Sequence, residues 1–206
     1  MKRSCSTYVI LLIFCLASCT PEHEGPGCQD PLANNVDTAA TENDGSCTYD
    51  TAWVTPVSSL ELNEVLGETS GLIFWNGNLL THNDDSDTKL YELDIATAEI
   101  SREFLLEGVE NRDWEEISQD MEYIYVGDFG NNAAGNRTDL HILRIEKASL
   151  LAGSAQIDTI WFSYSDQSDL SASAANQTDF DCEAFVVSQD HIFLFTKQWL
   201  SAQTTL

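Results

Sequence analysis

Six residues in three pairs carry most of the chemistry this sequence offers: Glu68 and Ser70, Asp113 and Glu115, Asp181 and Glu183. Each pair opens a five-residue stretch: Glu68-Thr69-Ser70-Gly71-Leu72, Asp113-Trp114-Glu115-Glu116-Ile117 and Asp181-Cys182-Glu183-Ala184-Phe185. The stretches stand 45 and then 68 residues apart, align without a gap and end on an apolar residue. Seven residues further on, a second apolar run begins, as Leu79-Leu80, Ile124-Tyr125-Val126 and Ile192-Phe193-Leu194-Phe195. The runs close on polar residues: His82-Asn83-Asp84, Gly127-Asp128 and Thr196-Lys197. Two carboxylates one residue apart can hold a hard cation such as Ca²⁺. Gathered together they repel one another, so a cation, a Lys or a shared proton must offset the cost. Lys197 is one such partner. Ca²⁺ held by Asp113, Glu115, Asp181 and Glu183 is another, and Glu115 and Glu183 are the candidate catalytic carboxylates. A second role is open to each residue taken singly, since Asp and Ser also bond loop amides and fix turns.

Other chemistries find no support in the sequence. There is no Gly-x-Ser-x-Gly, no phosphate-binding Walker loop and no Gly-x-Gly-x-x-Gly opening a helix. Ser70, within Thr-Ser-Gly, reads as a turn residue rather than a nucleophile. His82 and His141 lack partners at zinc-ligand spacing. The chain carries 34 acidic and 9 basic residues, a net charge of −25. That excess argues against nucleic acid, whose phosphates need Lys and Arg, and against adhesion to anionic lipid. It favours cations as ligands, or solubility alone.

The elements that position the carboxylates are short strands. After the first pair of runs come Lys89-Leu90-Tyr91-Glu92-Leu93 and Ile100 to Leu106; after the second, Leu140 to Ile145 and Ile157 to Tyr164. Several alternate apolar and polar residues as half-buried strands do. Turn signals separate them at Asn76-Gly77, Gly130-Asn131-Asn132 and Gly135-Asn136. One repeat is thus four strands, the unit of a β-propeller blade. The second repeat is enlarged by polar insertions near 129–138 and 165–179. The third stops about where its third strand should begin. The expected fold is all-β: a partial propeller of about two and a half blades over 53–206, truncated at its C-terminus. An open β-meander is the alternative. In a hairpin the start of one strand and the end of the next share an end. The acidic openings and the residues His82, Asn83, Asp84, Asp128 and Lys197 should therefore meet at one face, the mouth of a central channel.

At the N-terminus, Lys2 and Arg3 precede an apolar run from Tyr8 to Leu16, too short to span a membrane, and the segment ends Leu16-Ala17-Ser18-Cys19. It resembles the bacterial lipoprotein signal. That resemblance implies a signal peptide over 1–18, acylation of Cys19, and an anchor strengthened by each added acyl chain. A plain secretory signal is the alternative. Cys5 and Cys15 would leave with the signal. In an oxidising compartment Cys28 and Cys47 are then expected to form a disulfide, with Cys182 as a buried thiol. Residues 19–27 read as a flexible tether. Residues 28–50 form a small acidic module whose Gly27-Cys28, Asp30-Pro31 and Asp44-Gly45-Ser46-Cys47 resemble a Cys-bounded motif of secreted Bacteroidetes proteins. It is too short for a core without a staple. Its oxygen-rich loops would suit Ca²⁺, but not in the EF-hand spacing, and a disulfide-closed spacer is the other reading.

The stretches at Glu68–Leu72, Thr81–Asp84, Asp113–Ile117 and Gly127–Asn132 resemble those of Bacteroidetes β-propeller lipoproteins. More distantly they are similar to phytase-like and SdiA-regulated six-bladed propellers. The resemblance covers about residues 60–206 and implies six blades. It implies either an envelope protein that binds a ligand, cation or protein partner at the acidic mouth, or a Ca²⁺-dependent hydrolase of phosphoesters or lactones there. A purely structural surface protein is a third reading. The expected address is the cell envelope, anchored through Cys19 in the outer membrane and exposed at the surface.

Overall fold

The computed structural model describes residues 25–85, 87–188 and 190–206. The expected signal peptide, the expected lipid acceptor Cys19 and most of the expected tether lie outside the described residues. No helix among the described residues is long and apolar enough to cross a membrane. The chain divides into two units, residues 1–57 and 58–206.

In the first unit, strands β1 (Pro26–Gly27) and β2 (Glu42–Asn43) pair in parallel. Cys28 and Cys47 form the disulfide. Ahead of Cys28, in the segment expected as tether, Thr41 N–H donates to the carbonyl of Gly25 at 2.9 Å. The loop carboxylates act on their own backbone. Asp30 accepts from Leu32 N–H at 2.8 Å, Asp37 from Ala39 N–H at 2.9 Å and Asp44 from Ser46 N–H at 2.9 Å. These are Asx turns, the local bonding that favours Asp and Asn in loops.

The second unit is all-β apart from a 3-10 turn at Glu64–Leu66 and one short helix, α1 (Lys147–Leu151). Its strands are β3 (Thr69–Trp75), β4 (Asn78–Asn83), β5 (Lys89–Leu93) and β6 (Ile100–Leu105), then β7 (Trp114–Gln119), β8 (Tyr123–Asp128), β9 (His141–Glu146) and β10 (Ile157–Trp161). The last are β11 (Asp181–Val187), β12 (Ile192–Gln198) and β13 (Gln203–Thr205). They form two four-stranded sheets, β3-β4-β5-β6 and β7-β8-β9-β10, and a three-stranded sheet, β11-β12-β13. Every pairing in them is antiparallel between chain neighbours. The repeat read from the sequence is thus a repeat of meander sheets. The expected strand from Ile157 to Tyr164 ends at Trp161; Phe162 N–H still donates to the Leu140 carbonyl at 3.1 Å, and Phe162 and Tyr164, partly buried, pack against the core.

The first strands of the sheets are neighbours: β3 lies beside β7, and β7 beside β11. Between the first two sheets Trp75, Leu80, Leu90 and Phe104 pack against Trp114, Ile117, Val126, Leu143 and Ile145. Between the second and third, Tyr125, Phe129, Leu140 and Ile142 meet Cys182 and Phe185. Each fully buried side chain of this size contributes about 1.5–3 kcal/mol of transfer free energy. The middle sheet is therefore covered on both faces. The outer sheets are covered only in part on their far faces: Leu66, Tyr91 and Leu93 form a small buried cluster on the first, where Leu72 and Phe74 are more than half exposed, and Val186 is more than half exposed on the third.

Candidate functional site

Each sheet carries a β-bulge at the same place, inside the acidic opening. The β7–β8 register pairs Trp114 with Asp128 and Glu116 with Gly127, leaving Glu115 extra. The β11–β12 register pairs Cys182 with Thr196 and Ala184 with Phe195, leaving Glu183 extra. In β3 the shift falls between Thr69 and Leu72, across Ser70 and Gly71. A bulge puts two residues opposite one and re-aims the side chain it carries. It also explains the five-residue motif. Trp114 and Ile117 both enter one core, as do Cys182 and Phe185, although three positions apart in a strict strand would face opposite ways. The spare residue absorbs the half-turn and points its carboxylate elsewhere.

That direction is shared. The Asp113 and Glu115 carboxylates close on the backbone of Gly130: a Cβ there would lie 2.3 Å from Asp113 Cγ and 2.4 Å from Glu115 Oε1. Among the described residues neither carboxylate has a hydrogen-bond partner of its own. Burial, with Glu183, Asp113, Asp181 and Asp84 close by, pushes the Glu115 carboxyl up to about 8. Burial also raises Asp113; Arg137 opposes the rise, while Asp128, Asp84 and Glu183 add to it. Glu183 is raised by burial and by the adjacent Asp181, against the pull of Lys197, whose Nζ donates to Glu183 Oε1 at 3.0 Å. Asp84, raised by burial and by Asp85, keeps Oδ1 buried without a partner among the described residues. Four acid groups from three sheets thus share one neighbourhood: Asp84, Asp113, Glu115 and Glu183.

The other expected residues hold the frame. Asp128 is fully buried, accepting from Arg112 N–H at 3.0 Å and from Arg137 Nη2 at 2.6 Å. Asp181, also fully buried, accepts from Asn131 N–H at 2.6 Å and from Trp199 Nε1 at 2.8 Å. Ser70 donates to the carbonyl of Glu115, tying one bulge to the next. Gly71 lets β3 approach β7, since a Cβ there would lie 2.4 Å from Ile117 N. His82 sits in the core with its ring edge-on to Trp114 at 5.6 Å, and burial lowers its pKa and keeps it neutral. Asn83 bonds Val65 O and Asp87 Oδ2. Glu68 is exposed and only its carbonyl is engaged, by Asp84 N–H at 2.9 Å. His82, Asn83 and Glu68 therefore stand apart from the acid cluster.

Three residues of the site escaped the sequence reading. Gly130 was visible only as a turn, although two carboxylates need its missing side chain. Arg137, in the insertion after β8, donates to Asp128 and to the Gly130 carbonyl at 2.9 Å. Asn131 bridges Asp181, the Phe180 carbonyl and Arg137 N–H. A lone basic residue inside a polar insertion of so acidic a chain was the available signal for Arg137.

The donor set at the cluster is all carboxylate oxygen, the type a hard cation takes. No three His, Cys, Asp or Glu side chains among the described residues stand in metal-ligand geometry. A cavity of about 750 Å³ lies against β12, and none of Asp84, Asp113, Glu115 and Glu183 lines it. No family model, no curated protein and no solved structure matches this chain.

Proposed function

We propose that this chain is part of an exported, lipid-anchored β-propeller whose hub binds a cationic ligand, Ca²⁺ in the simplest case, through Asp84, Asp113, Glu115 and Glu183. One observation carries the reading: two carboxylates without hydrogen-bond partners among the described residues, Asp113 and Glu115, meet at Gly130 beside two more acids. An arrangement that raises its own carboxyl groups gains from any positive charge placed among them. Side-by-side first strands and the exposed apolar Leu72, Phe74 and Val186 on the outer sheets support further blades of the same repeat. The lipid anchor rests on the Leu16-Ala17-Ser18-Cys19 sequence and sets the address at the cell envelope.

Glu115 also supports a second reading. A carboxyl that titrates near 8 is suited to general acid or base work in a Ca²⁺-dependent hydrolase. The basic groups needed to hold a phosphate are already engaged: Arg137 is bound to Asp128 and Lys197 to Glu183. Binding without turnover is therefore the preferred reading. Thermal unfolding of the full chain with and without millimolar CaCl₂ tests it, together with turnover of p-nitrophenyl phosphate. Stabilisation that Glu115→Gln abolishes, without turnover, supports the binding reading. An unmoved midpoint overturns the cation site, and turnover lost in Glu115→Gln moves the assignment to the hydrolase.

A further inference from the structure

On β9 and β10, the second sheet packs Leu143, Ile145 and the partly buried Ile157 into the core it shares with the first. Cross-strand partners lie on one face, and so do alternate residues of a strand. His141 and Trp161, paired in register two residues beyond Leu143 and Thr159, therefore continue that face. The core does not follow them, and Trp161 is 64% exposed. A cleft of about 310 Å³ opens here, between these side chains and Gly108, Val109, Glu110 and Arg112. Those four belong to the loop that leads from the first sheet to the second. Both walls of the cleft are thus built by the first two sheets and their connection.

Polar groups share this cleft with the indole. His141 Nδ1 donates to the Asp139 carbonyl at 2.8 Å, so the neutral imidazole keeps Nε2 as an acceptor. Its ring centroid lies 4.6 Å from that of Trp161. Arg112 Nη1 donates to Asp139 Oδ2, and Asp139 Oδ1 is held in turn by the buried Arg137 through Nε at 3.1 Å. The Arg112 guanidinium is thus fixed by one nitrogen, while Nε and Nη2 have no hydrogen-bond partner among the described residues. Glu110 engages its carbonyl alone, accepting from Trp114 Nε1 at 3.3 Å, and its carboxylate is unbonded among the described residues. Spare donors, spare acceptors and a bare aromatic side chain line one small space.

We propose that this cleft binds a neutral sugar ring. The C–H face of the ring lies on the indole of Trp161. Its hydroxyls donate to the Glu110 carboxylate and His141 Nε2 and accept from Arg112. Trp suits the contact because it supplies a large, rigid apolar area at small conformational cost. Other ligand classes match the cleft less well. An anion would meet an Arg112 already neutralised by Asp139, with Glu110 in the same cleft, on a chain of net charge −25. A flat aromatic would cover Trp161 but take water from the polar groups without replacing its hydrogen bonds, which is costly. Small-ligand clefts span about 300–1,000 Å³, and this one lies near the lower bound, so it takes one ring. None of Asp84, Asp113, Glu115 and Glu183 lines the cleft, and the proposal stands if the cation reading fails.

The test uses the full chain and the methyl glycosides of glucose, galactose, mannose and N-acetylglucosamine at millimolar concentration. Saturation-transfer NMR should show binding of at least one, strongest at the C–H protons of one ring face, with a dissociation constant in the millimolar range. Trp161→Ala and Arg112→Ala change exposed side chains and should each weaken that binding at least tenfold, with the urea midpoint within error of wild type. Trp53→Ala removes an exposed indole from the first unit and should leave binding unchanged. Absence of transfer to all the glycosides overturns the proposal. So does binding that survives Trp161→Ala, or that Trp53→Ala weakens as much. Tighter binding of caffeine than of any glycoside, lost in Trp161→Ala, also overturns it by making a planar ring the occupant.

Discussion

Asp113 and Glu115 turn their carboxylates onto a single backbone position, Gly130, although they sit on either side of a tryptophan buried in the opposite direction. The bulge at Glu115 makes this possible, because the strand spends one extra residue there. Trp114 N–H meanwhile donates to the Asp84 carbonyl at 2.8 Å, so the strand that carries both acids is pinned to the end of the neighbouring hairpin. The core thus sets the position of the acids, and their mutual repulsion is a cost that packing offsets.

That cost has a pH signature. A carboxyl whose folded pKa lies above its unfolded value, about 4.3 for Glu, contributes stability that is fully present below the unfolded value. The contribution fades as pH rises through the folded pKa, here about 8. The protein should therefore be more stable to urea at pH 5 than at pH 8.5. Glu115→Gln should remove about 1–2 kcal/mol of that difference, after discounting for the solvent that still reaches the group. Equal slopes for wild type and variant between those pH values would show that Glu115 titrates normally.

Gly130 is the position where a methyl group is least tolerable. The added Cβ of Gly130→Ala would meet two carboxylates inside 2.5 Å, and the N–H of Gly130 also donates to the Asp113 carbonyl at 3.2 Å. Either the acids rotate away or the insertion after β8 shifts. A loss of about 1–3 kcal/mol is expected, as for overpacking elsewhere. Loss of any Ca²⁺ stabilisation should accompany it. Chemical denaturation with and without Ca²⁺ measures both effects, and a variant as stable and as cation-sensitive as wild type would contradict the geometry.

The Asp128–Arg137 pair is the second support. Both side chains are more than nine-tenths buried, and the guanidinium also reaches the carbonyls of Gly130 and Asp128 and the Asp139 carboxylate. Removing one member strands a buried charge, at a cost of about 3–5 kcal/mol. Asp128→Ala should cost that much, whereas Arg144→Ala, which breaks an exposed pair with Asp158, should cost less than about 1 kcal/mol. Urea midpoints of the two variants separate the cases. A similar small loss in both would place Asp128 outside the framework.

Much of this arrangement was legible in the sequence, for identifiable reasons. Three gapless copies gave the hairpins, because strand alternation and turn residues leave a local trace. The acid positions followed from hairpin geometry, and Asp113, Glu115 and Glu183 do gather with Asp84. The bulge was hidden, since it shows only as an apolar spacing of three where two is normal, as in Trp114–Ile117 and Cys182–Phe185. Asp128 and Asp181 looked like ligands because a sequence records charge and not its partners, Arg137 and Trp199, which come from distant segments. His82 looked like a mouth residue because it ends an apolar run beside Asp84. Its edge contact with Trp114 depends on how the first two sheets pack, which no local pattern encodes. Helix α1 was missed for the same reason: five residues give no periodicity, and Leu150 is drawn in by the core.

Cys182 offers a test of the core between the second and third sheets. The thiol is fully buried in the cluster that also holds Phe129 and Phe185, and burial pushes its pKa up to about 12. A thiol reagent needs both access and thiolate, and here both are withheld. Cys182 should stay unlabelled by iodoacetamide at pH 8 under native conditions and become labelled only when this core opens in denaturant, as peptide mass mapping would show. Cys28 and Cys47 should be labelled after reduction, because their protection comes from the disulfide. Cys182→Ser at the same site replaces a weakly polar group by a hydroxyl with stronger hydrogen-bonding demands. A cost of about 1–3 kcal/mol is expected if that hydroxyl is left unsatisfied. Rapid native labelling of Cys182 would mean that the third sheet opens on its own, and the acid cluster that relies on Glu183 would open with it.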